Sequence, residues 1–146
     1  GPPASTPLPA GGPAAVSSRA QPAFVGLVPI GQARMVGGDA VCLWALERYA
    51  DRSVLTVSCL SGDQDVRPLA PGHGRVDAWD DRGRRYLAAP IHGAGGAGWS
   101  ESSVELVPAL DPAARSLAVE LADVPSGGGT VVPGPLRFGI ALSPPA

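Results

Sequence analysis

The chain of 146 residues contains no lysine and no asparagine, and all 11 of its basic residues are arginine. Codon bias in a GC-rich genome is one explanation, and a surface selected for guanidinium contacts to carboxylate or phosphate groups is the other. Because 13 acidic residues give a formal net charge of −2, the chain lacks the basic balance of a duplex-binding protein. We therefore expect no nucleic-acid partner.

Long apolar runs and paired metal ligands are also missing. No apolar run approaches the roughly 18 residues that a membrane helix needs, and the first residues do not read as a signal peptide. The two cysteines, Cys42 and Cys59, are too few for a disulfide framework and are not at metal-ligand spacing. No C-x-x-C, H-E-x-x-H or acidic calcium loop occurs, so we expect no metal and no cofactor.

Glycine and proline are abundant instead, with 20 and 17 residues respectively. Residues 1–23 are dominated by Pro, Ala, Gly and Ser without an apolar period, which predicts a disordered arm or linker. From 24 to 146, short alternating runs separated by Gly and Pro predict one all-β domain. The expected architecture is an antiparallel, immunoglobulin-like sandwich of seven to eight strands.

The predicted strands follow period-2 alternation of apolar side chains. Leu136, Phe138 and Ile140 should face the core in the last strand, as Leu117 and Val119 should in an earlier one. That earlier segment has a helical alternative, because Asp111-Pro112 is a good helix start followed by alanines. The strand-like segments are 24–36, 41–49, 53–60, 75–80, 84–91, 99–107, 116–121 and 135–142, with loops at 62–74 and 92–98.

The first hairpin can be tested residue by residue. A tight turn at 50–51 sorts the two strands into one apolar and one mixed face. The two cysteines then share a non-hydrogen-bonded position, where side chains lie close. Two buried thiols and a strained cross-strand disulfide both remain open. The predicted pairs on the apolar face are Leu46 with Leu55, Trp44 with Val57, and Cys42 with Cys59.

Residues 93–98 match the G-x-G-x-x-G pattern of dinucleotide sites. Such a site needs a helix after the glycines, but the next segment alternates as a strand, so we interpret 92–98 as a flexible loop. His73 and His92 lie in Gly-rich loops without metal-ligand spacing. Ser100, Ser102 and Ser103 follow His92 closely, and a triad assembled across the fold stays open as an alternative.

Tryptophans next to Gly-rich loops are the best binding candidates. By alternation, Trp79 and Trp99 face outward, and exposed Trp side chains are typical of recognition patches. The alternative is that they cap the sandwich edges or are covered by the arm. The predicted binding patch consists of Trp79, Trp99 and His92, with Arg82, Arg84 and Arg85 as a basic rim.

Residues 80–86 form a turn signature, in which Asp80 caps backbone N–H groups and Gly83 supplies a positive φ. Together with Leu43-Trp44-Ala45-Leu46-Glu47 and Leu110-Asp111-Pro112, this turn resembles one in immunoglobulin-like domains of uncharacterised bacterial proteins, often lipoproteins. Those domains carry a D-x-x-G-x-x-Y turn between two mid-domain strands, and Asp80, Gly83 and Tyr86 fit its spacing. The resemblance spans roughly residues 28–142.

The resemblance implies structural rather than catalytic residues. It also implies a signal sequence and a lipid-anchor cysteine ahead of a Pro/Ser-rich linker, so membrane contact would come only through an upstream anchor absent from this chain. It favours an extracytoplasmic location without fixing the compartment. We expect a non-enzymatic binding module with a protein partner. A small hydrolase using loop His and Asp, and a structural domain of a larger assembly, are the alternatives.

Overall fold

The computed structural model describes residues 22–142, so the predicted arm lies outside the described residues except for its last two positions. The described chain forms nine β-strands and one short 3₁₀ turn at Gly127–Gly129. No helix in this part is long and apolar enough to cross a membrane. The strands are β1 Phe24–Val36, β2 Asp39–Tyr49, β3 Ser53–Asp65, β4 Arg75–Asp80, β5 Arg85–Val107, β6 Ser116–Ala122, β7 Val124–Pro125, β8 Val131–Val132 and β9 Leu136–Ala141.

Seven strands form one antiparallel sheet in the order β1-β2-β3-β5-β4-β6-β9, and β7 pairs separately with β8. The central strand β5 has 23 residues. Its first two residues pair with β4, and residues between Ala97 and Leu106 pair with β3, so it belongs to both halves of the sheet. The two halves enclose one core and give a nearly barrel-like shape. The all-β, antiparallel prediction is confirmed.

Side chains, rather than a backbone ladder, join the two edge strands β1 and β9. The Gln32 Nε2–H donates to the Gly139 carbonyl at 2.7 Å, and an Arg34 N–H donates to the Arg137 carbonyl at 3.0 Å. The Arg34 guanidinium also lies 4.5 Å from the centre of the Phe138 ring. These contacts cover part of an edge that would otherwise present free carbonyls to another chain.

Alternation of apolar residues correctly predicts the inward faces of β6 and β9. Leu117 and Val119 are fully buried, and Phe138 is fully buried opposite Val119. The helical alternative for the segment before residue 121 is wrong. The Asp111 carboxylate accepts a hydrogen bond from the Ala113 N–H at 2.9 Å and caps a turn, after which the chain pairs as a strand.

The register of the first hairpin is confirmed only near its turn. Leu46 pairs with Leu55 as predicted, but Trp44 forms a β-bulge, and beyond it every pair shifts by one residue. Leu43 therefore takes the buried place predicted for Trp44, which points outward. A bulge adds one residue to one strand and reverses the faces beyond it.

The glycine-rich stretch 92–98 is part of strand β5, so the loop prediction is wrong there. A Cβ on Gly93 would approach the Pro68 side chain at 2.5 Å, and one on Gly95 would overlap the Val66 carbonyl oxygen. The glycines permit this close approach of two chain segments. The predicted loop at 62–74 is also wrong at its start, because β3 continues to Asp65.

Candidate functional site

A row of apolar side chains crosses the outer face of the β1-β2-β3-β5 half of the sheet. Met35 pairs with Ala40, Ala40 with Leu60, and Leu60 with Trp99. Met35 is 71% exposed, Leu60 41% and Trp99 43%. We call these four residues the apolar row. A contiguous apolar surface of this kind is typical of a protein-interaction site.

Trp44 lies on the same face because the bulge turns it outward, and 47% of it is exposed. Its indole N–H donates to the Ser58 hydroxyl at 2.8 Å. This hydrogen bond restricts the orientation of the ring, so less side-chain entropy is lost when a partner packs against it. Trp44 therefore extends the apolar row with an aromatic side chain that is already oriented.

The Trp99 indole lies over the backbone of β5. A Cβ on Gly96 would stand 3.3 Å from the Trp99 ring nitrogen, so a glycine at this place leaves room for the ring. Glu101, two residues later, is also exposed on the outer face. The outward orientation expected for Trp99 is therefore present, and its ring rests against the strand rather than standing free in solvent.

Trp79 lies on the other half of the sheet, in β4, and is only half-buried. The guanidinium groups of Arg85 and Arg137 lie 5.2 and 5.0 Å from its ring centres. Cations at this distance from an indole are attracted by its electron-rich face. The structure thus brings Trp79 and Arg85 together, as the predicted patch requires, and adds Arg137.

The other members of the predicted patch lie in different places. Trp99 pairs with β3, fourteen positions along β5 from Arg85. His92 is exposed between them and borders a cavity of about 240 Å³ beside Pro68 and Pro71. Arg82 pairs with Asp111 at 3.3 Å, and Arg84 lines a larger groove at one end of the sheet.

Asp80 organises the turn between β4 and β5. One carboxylate oxygen accepts the Arg82 and Arg84 N–H groups at 2.9 and 3.0 Å, and the other accepts the Tyr86 hydroxyl at 2.7 Å. Gly83 has φ +85°, the left-handed conformation that glycine adopts without strain. Burial alone would raise the pKa of Asp80, but these hydrogen bonds outweigh it and lower the pKa.

Tyr86 extends this network to the next loop. Its hydroxyl donates to Asp80 and accepts the Asp111 N–H at 3.1 Å. Burial, together with the hydrogen bond to Asp80, raises the pKa of Tyr86. The Asp80 carboxylate and the Tyr86 hydroxyl both make their hydrogen bonds inside the protein, which indicates that Asp80, Gly83 and Tyr86 stabilise the fold.

The two cysteines are buried free thiols, so the disulfide alternative is wrong. The bulge at Trp44 places Cys42 opposite Ser58, and Cys59 opposite Val41. Burial raises the pKa of Cys42, and burial with the nearby charge of Asp39 raises that of Cys59 to about 11. Neither environment favours a thiolate nucleophile.

The histidines show no catalytic arrangement within residues 22–142. No hydrogen bond there joins a His73 or His92 side chain to a serine hydroxyl or a carboxylate. Ser100 and Ser102 are buried, and the Ser102 hydroxyl accepts the Leu69 N–H at 2.8 Å. The same part of the chain contains no group of His, Cys, Asp and Glu side chains that could hold a metal ion. The hydrolase alternative gains no support from this geometry.

The sequence does not predict the apolar row, although it predicts Trp99 as a contact residue. The sequence predicts the pairing of β2 with β3 but not that of β1 with β2 or of β3 with β5, and it places Trp44 in the core. The sequence feature that could have identified Met35 is the alternation of side-chain directions along a strand. Met35 is exposed and lies between the half-buried Arg34 and Val36 in β1. Parity identifies an outward side chain, but only the register shows which outward side chains are neighbours.

No protein-family model matches the chain, and no curated protein matches it by sequence. Among solved structures, the fold is similar to "The crystal structure of the conserved domain protein from Bacillus anthracis", with a TM-score of 0.58 and 14% identity. The match covers 81% of this chain and 49% of that chain, so this chain spans about half the length of that protein. At this identity the likeness shows the fold alone, an all-β architecture consistent with a β-sandwich.

Proposed function

We propose that the chain is a non-enzymatic binding module with an immunoglobulin-like sandwich fold, which contacts a protein partner through the apolar row and Trp44. The carrying observation is the exposure of Met35, Leu60 and Trp99 on one row of paired positions. Tryptophan and methionine are enriched at protein interfaces, where they supply large apolar contact areas.

A protein partner fits this surface better than a small molecule does. The row crosses four neighbouring strands and is therefore about 14 Å long at the usual strand spacing. Small molecules prefer concave sites that enclose most of their surface, whereas a row on the outer face of a sheet offers a broad contact. The sheet also holds the row rigidly, since its strands are paired on both sides in β2 and β3.

The immunoglobulin-like assignment is supported by the turn at 80–86 and by the two halves of the sheet around one core. We also propose that the remaining predicted contact residues bind a partner. Trp79 with Arg85 presents an aromatic and cationic surface on the second half, and Arg82, Arg84 and His92 lie exposed near it or along β5. These residues would form a contact separate from the apolar row.

Site-specific photocrosslinking in the native host tests the proposal. A photoreactive residue at position 35 should give one discrete adduct with another protein, and the same residue at Leu87, which is 76% exposed outside the row, is the matched control. Leu60→Asp and Trp99→Ala should each abolish the adduct, while the free energy of unfolding in urea stays within about 1 kcal/mol of that of the parent. An adduct at position 35 that neither substitution removes, or substitutions that also remove an adduct formed at position 87, contradict the proposal.

A structural domain of a larger assembly is the second candidate, and the same apolar row favours it. In that case the partner would be a second copy of the chain. Light scattering should then show a stable oligomer that Leu60→Asp converts to a monomer. If the parent chain is a monomer, self-association is excluded and a contact with a different protein is favoured.

A further inference from the structure

A groove of about 1040 Å³ lies at one end of the sandwich, along the first half of β1. Its β1 wall consists of five consecutive residues, Val25–Pro29, and the opposite wall is the loop 108–112 with Ala141 at the end of β9. Val25 and Leu27 are 62% and 57% exposed. Five residues of extended strand span about 16 Å, so the groove has the length of a short extended peptide.

Within residues 22–142, no strand pairs with the β1 edge along this groove. β1 is the first strand of the sheet order, and its one pairing in this part of the chain is with β2. The side-chain contacts to β9 begin at Gln32 and Arg34, beyond the groove. Unpaired strand edges accept an added extended segment through backbone hydrogen bonds. Pro29 has no N–H, so such pairing is confined to the residues before it.

The rim of the groove is positively charged. Arg48 and Arg84 line it, and neither makes an ion pair within residues 22–142. The acidic residue at the rim, Asp51, is already paired with Arg52 at 3.2 Å. An occupant with a carboxylate would therefore complement the two arginines, because guanidinium groups bind carboxylates in a bidentate geometry.

We propose that this groove binds an extended, apolar peptide segment of a partner protein that carries a carboxylate, by strand addition to the edge of β1. The apolar residues of the peptide pack on Val25 and Leu27, and its carboxylate faces Arg48 and Arg84. The site lies apart from the apolar row, since Leu27 and Met35 are separated by roughly 26 Å of strand. The inference therefore stands or fails independently of the proposed function.

Selection from a phage-displayed library of short random peptides, with the full chain as bait, tests this inference. The expected result is enrichment of apolar residues at alternate positions with Asp or Glu at one fixed position. In fluorescence anisotropy, Arg48→Gln and Arg84→Gln should each weaken the best peptide at least about tenfold, and Leu27→Asp should do the same. Arg75→Gln is the matched control, since Arg75 is exposed in β4 and outside the groove, and it should leave the affinity unchanged.

Four outcomes overturn the inference. The first is a selection without a shared motif, and the second is a set of peptides whose affinity does not respond to Arg48→Gln and Arg84→Gln. The third is a preference for small amphiphilic anions: if octanoate or anilinonaphthalene sulfonate binds as tightly as the peptides and displaces them, the groove takes a small molecule. Backbone chemical shifts of residues 24–28 report strand addition directly, and peptide binding that leaves them unmoved also contradicts it.

Discussion

Asp80 and Tyr86 show how one side-chain pair holds a turn and a neighbouring loop together. The Asp80 carboxylate accepts three hydrogen bonds, one of them from the Tyr86 hydroxyl. That hydroxyl in turn accepts a hydrogen bond from the Asp111 N–H. A buried carboxylate with this many donors is stabilised in its charged form. The turn therefore depends on the ionised state of Asp80, and its contribution to folding depends on pH.

Tyr86→Phe should lower the free energy of unfolding by about 1–3 kcal/mol at neutral pH, because it removes a donor to a buried carboxylate. The folded-state pKa of Asp80 lies below its ordinary value of 3.8, so its stabilisation is present above that value and is lost as the pH falls through the folded pKa. The substitution raises the folded pKa toward the ordinary value. Urea unfolding as a function of pH should show the difference between parent and variant shrinking in acid.

Leu87→Ala is the control for that experiment, because Leu87 follows Tyr86 in the chain but is exposed. It should change stability by less than about 0.5 kcal/mol. A difference between Tyr86→Phe and the parent that stays constant down to strongly acid pH would contradict the role given to the Asp80 charge.

The two thiols should be inert in the folded protein. Cys59 is 1% exposed and its pKa is raised to about 11, chiefly by burial, and only the thiolate reacts with disulfide reagents. We expect Ellman's reagent to label neither cysteine at mildly alkaline pH in the native state and both in guanidinium chloride. Rapid labelling of one thiol in the native protein, or no labelling after denaturation, would contradict the buried free-thiol assignment.

At the scale of single elements, backbone packing determines whether a segment is a strand or a loop where the local sequence pattern is ambiguous. The segment 92–98 contains four glycines and reads as a loop, yet it is extended against residues 62–68. The absence of side chains lets the two segments approach closely, and this approach makes the stretch a strand. Flexibility in the unfolded chain and order in the fold come from the same residues.

Gly95→Ala should destabilise the protein by about 1–3 kcal/mol, because the added methyl group would overlap the Val66 carbonyl and force the backbone to shift. Gly38→Ala is the matched control, since a Cβ there meets nothing within 4 Å. Thermal unfolding followed by circular dichroism measures both. Equal midpoints for the two variants would show that the close approach does not constrain the chain.

The whole molecule is organised by β5, which belongs to both halves of the sheet. Its side chains reach the same core as Phe138 on β9 and Leu55 on β3. A destabilising substitution in one half of the sheet should therefore also destabilise the other half. This shared strand distinguishes the molecule from two sheets that touch only through their faces.

Phe138→Ala should cost about 3–5 kcal/mol, because it opens a cavity in a fully buried part of the core. Since the core is common to both halves, unfolding should stay a single transition, with tryptophan fluorescence and circular dichroism giving coincident curves. Trp44 and Trp99 report on one half and Trp79 on the other. Separate transitions for the two signals would show that the halves unfold independently.

The sequence by itself determined the features that depend on neighbours along the chain. Period-2 alternation predicted the inward faces of β6 and β9, and Asp80 with Gly83 predicted the turn between β4 and β5. The tight turn at 50–51 also set the hairpin register as far as Ala45. Each of these depends on contacts within a few residues, where backbone geometry and side-chain type act directly.

Only the tertiary structure decided the rest. The bulge at Trp44 moved that residue to the surface and separated Cys42 from Cys59. The packing of 92–98 on 62–68 extended β5, and the pairing of distant strands assembled the apolar row and the groove. These features arise from contacts between segments far apart in the chain, whose free energy depends on which surfaces meet. An alternating pattern shows which way a side chain points, and the packed fold determines what lies beside it.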